Sequence, residues 1–433
     1  MDSRKRLRVL TLGCSKNTVD TEHLLSCLGD EKYLIVDDPR QGADILLINT
    51  CGFIGDAKQE SVNAILEAVK LKERGEFGSI AVFGCLSERY KDELPSEIPE
   101  VDAWFGARDL DPVLEWLGVK RSGRMTSRRL GAEVPYAYLK ISEGCDRRCS
   151  YCAIPFIRGA HRSVPMEELV EETRLLAAKG IKELILIAQD TTYYGLDLYH
   201  RRALAELIDK LSEVEGIEWI RIHYSYPAQF PEDVLEAMAR NPKVCRYLDI
   251  PLQHISDSVL SNMHRNVDGK WTRELIARLR EKVPGVALRT TMIVGFPEES
   301  EADFEELLDF VAEARFERLG AFAYSEEEGT WGALNLADDV PQELKQSRLD
   351  RLMSLQMDIS AQFNASRVGQ TLKVLVDELE GEDLICRSEF ESPEVDGTVI
   401  VRGAASKAAV GDFIRVKVVE AGEYDLVAEI VEN

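Results

Sequence analysis

The sequence predicts an α/β protein in three parts: an N-terminal parallel-sheet α/β domain, a central partial (β/α) barrel and a C-terminal small all-β barrel. Three observations carry this prediction. Short apolar runs alternate with amphipathic stretches up to about residue 120; the alternation resumes after a basic, polar stretch and repeats about six times; and from about Val368 strand signals follow one another across Gly-rich turns with no helical pattern between them. A chain of 433 residues exceeds what one hydrophobic core usually organises, and 45% hydrophobic with 30% charged residues is an ordinary globular composition.

In the N-terminal unit, residues 1–120, the runs LRVLTLG, ADILLINT and SIAVFG read as strands, and KQESVNAILEAVKLKERG reads as a crossover helix. Each run ends in a cysteine-bearing loop: Gly13-Cys14, Thr50-Cys51-Gly52 and Gly84-Cys85. Ligands in parallel sheets collect outside the carboxyl ends of the strands, so three cysteines far apart in sequence are predicted on one rim. Residues 121–135, RSGRMTSRRLGAEVP, are basic and lack apolar periodicity, as an exposed linker would.

From residue 136 to 363 the runs YAYLKIS, ELILIAQD, WIRIHYS, YLDIPLQ, ALRTTMIVG and LGAFAYS alternate with helical patterns such as PMEELVEETRLLAAKG. That order suggests an open or partial barrel with its chemistry at the strand ends. Residues 368–433 carry the strand signals TLKVLVDEL, GTVIVRG, DFIRVKVVEA and YDLVAEIV, consistent with a small barrel. This last unit is acidic, with 15 Asp and Glu against 6 Lys and Arg.

The whole chain has a net charge of -24, which opposes broad binding to nucleic-acid phosphates and would draw in a basic partner. No run of about 18 apolar residues is present, and the start MDSRKRLRVLTLG lacks the apolar stretch of a secretory leader, so no membrane association is expected. Nine cysteines, an odd number with a central cluster, read as thiolate ligands in a reducing compartment rather than as disulfides, and the cytoplasm is the expected location.

The segment GCDRRCSYC spaces Cys145, Cys149 and Cys152 so that one tight loop can aim three thiolates at a single centre. Three cysteines serve three irons of a cubane and leave the fourth iron open for a substrate or cofactor. A structural zinc would want a fourth ligand, for which His161 is the nearest candidate, and buried unliganded thiols are the blandest alternative.

GCDRRCSYC resembles the signature of the radical S-adenosylmethionine enzymes. The resemblance implies that the methionyl amino and carboxylate groups of S-adenosylmethionine chelate the fourth iron. An electron from the reduced cluster would then break the bond between sulfur and the ribose carbon, giving a 5'-deoxyadenosyl radical that takes hydrogen from an unactivated C–H bond. Tyr151 stands where that family places an aromatic residue beside the adenine.

The segments TLGCSKNTVDTE, NTCGFI and FGCL resemble the N-terminal domain of the methylthiotransferases, and residues from about 368 resemble their C-terminal TRAM barrel. This implies a second, auxiliary 4Fe-4S cluster on Cys14, Cys51 and Cys85. LGCSKN, AQDTTYYG, GAFAYSEEEGT and SPEVDGTVIVRG are similar to the branch that methylthiolates an aspartate of ribosomal protein S twelve. The implied chemistry is hydrogen removal at the aspartate β-carbon, C–S bond formation with sulfur carried at the auxiliary cluster, and methylation by a second S-adenosylmethionine, with an electron donor as partner.

The substrate, free or in the ribosome, would be basic, and the acidic final barrel would attract it while opposing tRNA; ordinary solubility is the bland reading of that charge. A tRNA adenosine methylthiotransferase is the alternative within the enzyme class. A two-cluster electron-transfer protein is the alternative outside it, disfavoured because electron carriers usually ligate every iron with protein.

Gln189 and Asp190, ending an apolar run, either face the cofactor's amino group, as in radical enzymes of this type, or cap the next turn. Arg289 either pairs with the cofactor carboxylate or forms a plain ion pair. Ile293 to Pro297 suits an adenine wall or a simple strand terminus. His223, His254 and His264 receive no role, and Cys27, Cys245 and Cys386 read as structural thiols. No side chain is assigned as a catalyst, because the two clusters would carry the chemistry.

Overall fold

The strand-forming runs of the first unit build a parallel sheet of β1 (Lys5–Thr11), β2 (Tyr33–Ile35), β3 (Ala43–Thr50), β4 (Phe77–Gly84) and β5 (Ala103–Trp104). A computed structural model supplies the coordinates and describes residues 4–38, 41–121, 126–131 and 133–431. The order is β2-β1-β3-β4-β5, so the direction of winding reverses between β1 and β3 and leaves a crevice at their carboxyl ends. The central β3, ADILLINT, is buried along nearly its whole length because both sheet faces are covered. Helix Ser15–Ser26 leaves β1 and helix Gly55–Glu73 leaves β3. The short helix Cys85–Arg89 begins where β4 ends.

The central unit begins with β6 (Tyr136–Lys140), followed by a two-residue pair, β7 (Ser142–Glu143) and β8 (Arg162–Ser163), that brackets the cysteine loop. Then come β9 (Glu183–Ile187), β10 (Trp219–Ile222), β11 (Val244–Asp249), β12 (Ala287–Val294) and β13 (Arg318–Ala323). The six strands lie in chain order, β6-β9-β10-β11-β12-β13, all parallel, as an open curved sheet. Successive residues face opposite ways: Leu184 and Leu186 join the large core under the helices, whereas Ile185 and Ile187 pack with Tyr138 and with Val19 of the N-terminal unit. The concave side of the barrel is therefore covered by helix Ser15–Ser26.

Helix Gln342–Ala365 packs along β13 and delivers the chain to a closed barrel. That barrel comprises β14 (Thr371–Glu380), β15 (Asp383–Ser388), β16 (Val399–Val401), β17 (Phe413–Ala421) and β18 (Leu426–Ile430) in the order β14-β15-β16-β18-β17. It does not hang free. Its core is continuous with Trp219, Cys245, Tyr247 and Ala287 at the starts of the central strands.

Beside that core, Arg387 of β15 pairs with Asp377 of β14 and also with Glu183 of β9, which is shared with Arg221 of β10. All four groups are buried or nearly so, and the alternating signs offset the penalty of taking each charge out of water.

The stretch expected to be an exposed linker, 121–135, differs in one respect; its residues 122–125 and 132 lie outside the described residues. Arg128 is buried and bridges Glu22 of the first unit to Glu172 of the second, a pairing that periodicity along the chain cannot reveal. Among the described residues no helix is long and apolar enough to cross a membrane.

Candidate active site

Three loops at the carboxyl ends of β1, β3 and β4 bring Cys14, Cys51 and Cys85 within electrostatic reach of one another. Glycine makes the approach possible. A Cβ on Gly13, whose φ is +93°, would lie 2.7 Å from Cys51 Cβ, and one on Gly52 would lie 2.6 Å from the backbone of Leu86, closer than non-bonded carbons come. Asn17 stitches the loops by donating to the carbonyls of Leu12 at 2.8 Å and Thr50 at 3.1 Å. Ser61 clamps Cys51, accepting from its N–H and donating to its carbonyl, both at 3.0 Å.

Cys14 is exposed while Cys51 and Cys85 are buried. Burial pushes both buried thiols up, Cys85 to about 11, with the Arg158 guanidinium working the other way.

Cys145, Cys149 and Cys152 share the loop between β7 and helix Ile154–Arg158. The loop closes on itself, with Cys145 N–H donating to Gly159 O at 3.0 Å and Cys152 N–H to Cys149 O at 3.1 Å. It is also held from outside: Ser150 Oγ donates to Asn262 O at 2.6 Å, and Gly332 N–H donates to Ser150 O at 2.7 Å. Arg265, buried, points its guanidinium at Cys149 Sγ (3.5 Å) and the Tyr151 hydroxyl (3.3 Å). Burial pushes Cys145 up to about 12 and Cys152 higher still.

The two sets are joined by one buried side chain. Arg158 ends the short helix that follows Cys152, and its Nε donates to Cys85 Sγ at 3.2 Å. Its other nitrogens donate to Asn17 Oδ1 at 2.6 Å, Asp20 at 2.7 Å and Glu143 at 3.2 Å. Lys140 pairs with the same two carboxylates. Burial works to raise the Glu143 carboxyl, but Lys140 and Arg158 outweigh it and hold the group well below the usual carboxylate range. Ala153 and Ile157 add apolar contact with Cys85 and Ala107.

The donor chemistry fits iron-sulfur clusters. Thiolate is the natural ligand of such irons, and a thiol raised by burial becomes a thiolate when a cation binds it. Two buried polar atoms next to the Cys145 loop, Arg147 Nη2 and Gln189 Oε1, have no hydrogen-bond partner, as groups that face a polar ligand would. Among the described residues no three His, Cys, Asp or Glu side chains are already posed around a single metal ion.

Residues 139–311 match the radical SAM superfamily, residues 6–106 the uncharacterized protein family UPF0004, and residues 368–431 the TRAM domain. Over 430 residues the chain is 51% identical to the ribosomal protein uS12 methylthiotransferase RimO of Bacteroides fragilis, spanning 99% of this chain and 100% of that one. It is 50% identical over 427 residues to the protein of the same name from Flavobacterium psychrophilum, with 98% of each chain covered. The chain belongs to the RimO family of methylthiotransferases. It is a radical SAM enzyme, an iron-sulfur protein that uses S-adenosylmethionine.

Among solved structures, the radical S-adenosylmethionine methyltransferase TsrM of Kitasatospora setae superposes with a TM-score of 0.59 at 13% identity, over 76% of this chain and 74% of that one. OxsB, a cobalamin-dependent S-adenosylmethionine radical enzyme, gives 0.51 at 15% identity, over 82% and 56%. At those identities the likeness is one of fold.

In this RimO-family enzyme the side chains expected beside the cofactor have distinct surroundings. Tyr151 packs edge-on against Phe296 at 6.5 Å, in one apolar cluster with Ile293, Val259, Met263 and Tyr324. Gln189 donates to Glu143 at 2.7 Å, which ties it to the Arg158 bridge. Asp190 caps the turn Thr191–Tyr193, accepting from Thr192 N–H at 2.9 Å, while its other oxygen takes Arg147 Nε at 2.9 Å. Arg289 forms an ion pair with Asp249 at 2.9 Å and lies 3.8 Å from Asp396 of the final barrel.

Arg158, Arg265, Glu143 and Lys140 were not singled out from the sequence. Arg158 had one usable signal, an arginine six residues beyond the last cysteine of the loop.

Proposed function

We propose that the protein adds a methylthio group to the β-carbon of an aspartate in ribosomal protein S twelve. The observation that supports this most is Arg158, which locks the loop carrying Cys145, Cys149 and Cys152 to the rim carrying Cys14, Cys51 and Cys85. Two reactive centres that must act on one carbon need such a fixed mutual position, because orientation of bound groups supplies a large share of a rate enhancement.

When bound, two 4Fe-4S clusters and S-adenosylmethionine supply the electron, the radical, the sulfur and the methyl group. The protein's own residues hold and orient. Cys145, Cys149 and Cys152 ligate one cluster, and Cys14, Cys51 and Cys85 the other. Tyr151, Ile293 and Phe296 form an apolar wall suited to a purine. Arg265 positions Tyr151 and Cys149 together. The acidic final barrel, packed against the starts of β10 to β12, would draw in a basic protein taken free or in the ribosome. An electron donor is the other partner, and the cytoplasm is the compartment where thiols stay reduced and ribosomes work.

The test is anaerobic reconstitution with iron and sulfide, followed by S-adenosylmethionine, a chemical reductant and either ribosomal protein S twelve or tRNA. A methylthio mass increment on the aspartate of the protein is expected. The same increment on tRNA adenosine, with the protein unmodified, would overturn the assignment.

A further inference from the structure

The basic side chains at the seam between the N-terminal sheet and the central barrel have acidic partners: Lys140 and Arg158 share Asp20 and Glu143, Arg128 takes Glu22 and Glu172, and Arg147 takes Asp190. Lys16 is different. It is only 8% exposed, stands two residues after Cys14, and among the described residues pairs with no carboxylate or other acceptor. Its Nζ lies 3.1 Å from the centroid of the Tyr224 ring.

Tyr224 lies just beyond β10 and packs with Val19, Tyr138, Ile185 and Ile187 on the concave side of the central barrel. His223, next to it, is within electrostatic reach of Lys16. Burial first, then Arg289, Arg221 and Lys16, hold that imidazole neutral against the pull of Asp249, down to about 3. His223 is tied to Ser392 of the final barrel at 2.9 Å. The ammonium thus faces an aromatic ring, with a neutral imidazole next to it and Asp249 engaged by the Tyr224 N–H at 2.9 Å. An ammonium over an aromatic face gains far less than it would from a carboxylate. The first turn of helix Ser15–Ser26 adds to the pull on an anion, since Cys14 as N-cap makes no side-chain bond to the free N–H groups there.

We propose that Lys16 receives the carboxylate of the substrate aspartate. The inference rests on the functional reading above. It deepens that reading by naming a specificity residue. The β-carbon to be modified is bonded directly to the carboxylate carbon, so an ion pair to Lys16 fixes it within one bond. The pair also holds it beside the rim of Cys14, Cys51 and Cys85. An asparagine at the substrate position would lose the charge and keep the shape.

The test uses reconstituted enzyme with S-adenosylmethionine and no reductant, and measures binding of two fluorescent peptides from the modified loop of ribosomal protein S twelve, one with Asp and one with Asn. Wild type is expected to favour Asp by at least about 30-fold, the scale of a buried charge pair. Lys16→Met is expected to bind both peptides at the level wild type shows for Asn, and Lys16→Arg to recover most of the preference. Retention of the Asp preference in Lys16→Met, or an equal loss for both peptides, would overturn the role of Lys16 alone. If wild type binds neither peptide and modifies tRNA, the functional reading fails and this proposal with it.

Discussion

The two cysteine sets reach the same composition by opposite routes. Cys145, Cys149 and Cys152 belong to one loop, brought together by an eight-residue stretch of chain with bonds such as Cys152 N–H to Cys149 O, although Asn262 and Gly332 brace it from outside. Cys14, Cys51 and Cys85 belong to three loops, and their meeting depends on the register of β1, β3 and β4, in which Thr11 pairs with Asn49 and Thr50 with Gly84. A set on one loop keeps its cysteines together by chain connectivity, whereas a distributed set fails when any of three strand ends shifts. Arg158, held by both, is where the difference can be probed.

The largest expected contrast is between single cysteine variants. Cys149→Ala should abolish both formation of 5'-deoxyadenosine and methylthiolation. Cys85→Ala should keep cofactor cleavage and lose methylthiolation, as read by chromatography of the nucleoside and mass analysis of the substrate. If Cys85→Ala also stops cofactor cleavage, the two sets do not work as separable parts.

Arg158→Met should be the next most damaging, at about 3–5 kcal/mol of stability, because it leaves buried Asp20 and nearby Glu143 with a single remaining cation, Lys140. Urea unfolding would measure it. A loss under about 1 kcal/mol would mean that Lys140 alone balances both carboxylates and that the bridge is weaker than its geometry suggests.

Gly52→Ala forces a Cβ to 2.6 Å from the Leu86 backbone and should cost about 1–3 kcal/mol, with iron lost from the auxiliary set before the Cys145 loop. Equal iron loss from both sets would contradict the separation.

The effect that is smallest near neutral pH grows on acidification. Burial holds His223 and His254 at about 3, below the ordinary 6.5 of the unfolded chain. The unfolded state therefore takes up more protons as pH falls below about 6.5, and each histidine should remove about 1.4 kcal/mol of stability per pH unit from there toward 3. His254→Gln should flatten that slope in unfolding curves taken between about pH 7 and pH 5.5. An unchanged slope would show that His254 does not set it.

Much of this arrangement was legible in the sequence, for reasons that differ by residue. The six central runs became β6, β9, β10, β11, β12 and β13 because apolar periodicity and βα alternation are local signals. The rim of Cys14, Cys51 and Cys85 followed from a topological rule about strand ends. Side-chain pairing did not follow. For Asp190 and Arg289 the sequence left both a cofactor role and a structural one open, and the structure gives them Thr192 and Arg147 in one case and Asp249 in the other. The burial of Arg128 and the isolation of Lys16 depend on residues distant along the chain, such as Glu22, Glu172 and Tyr224, and no spacing along the chain encodes those meetings.

The most direct test of the central claim, that both cysteine sets act on one substrate carbon, is a single-turnover reaction with a peptide of ribosomal protein S twelve deuterated at the aspartate β-carbon. Deuterium is expected in 5'-deoxyadenosine, and the methylthio group on that same carbon. 5'-Deoxyadenosine formed without deuterium, or a methylthio group appearing on tRNA instead, would contradict it.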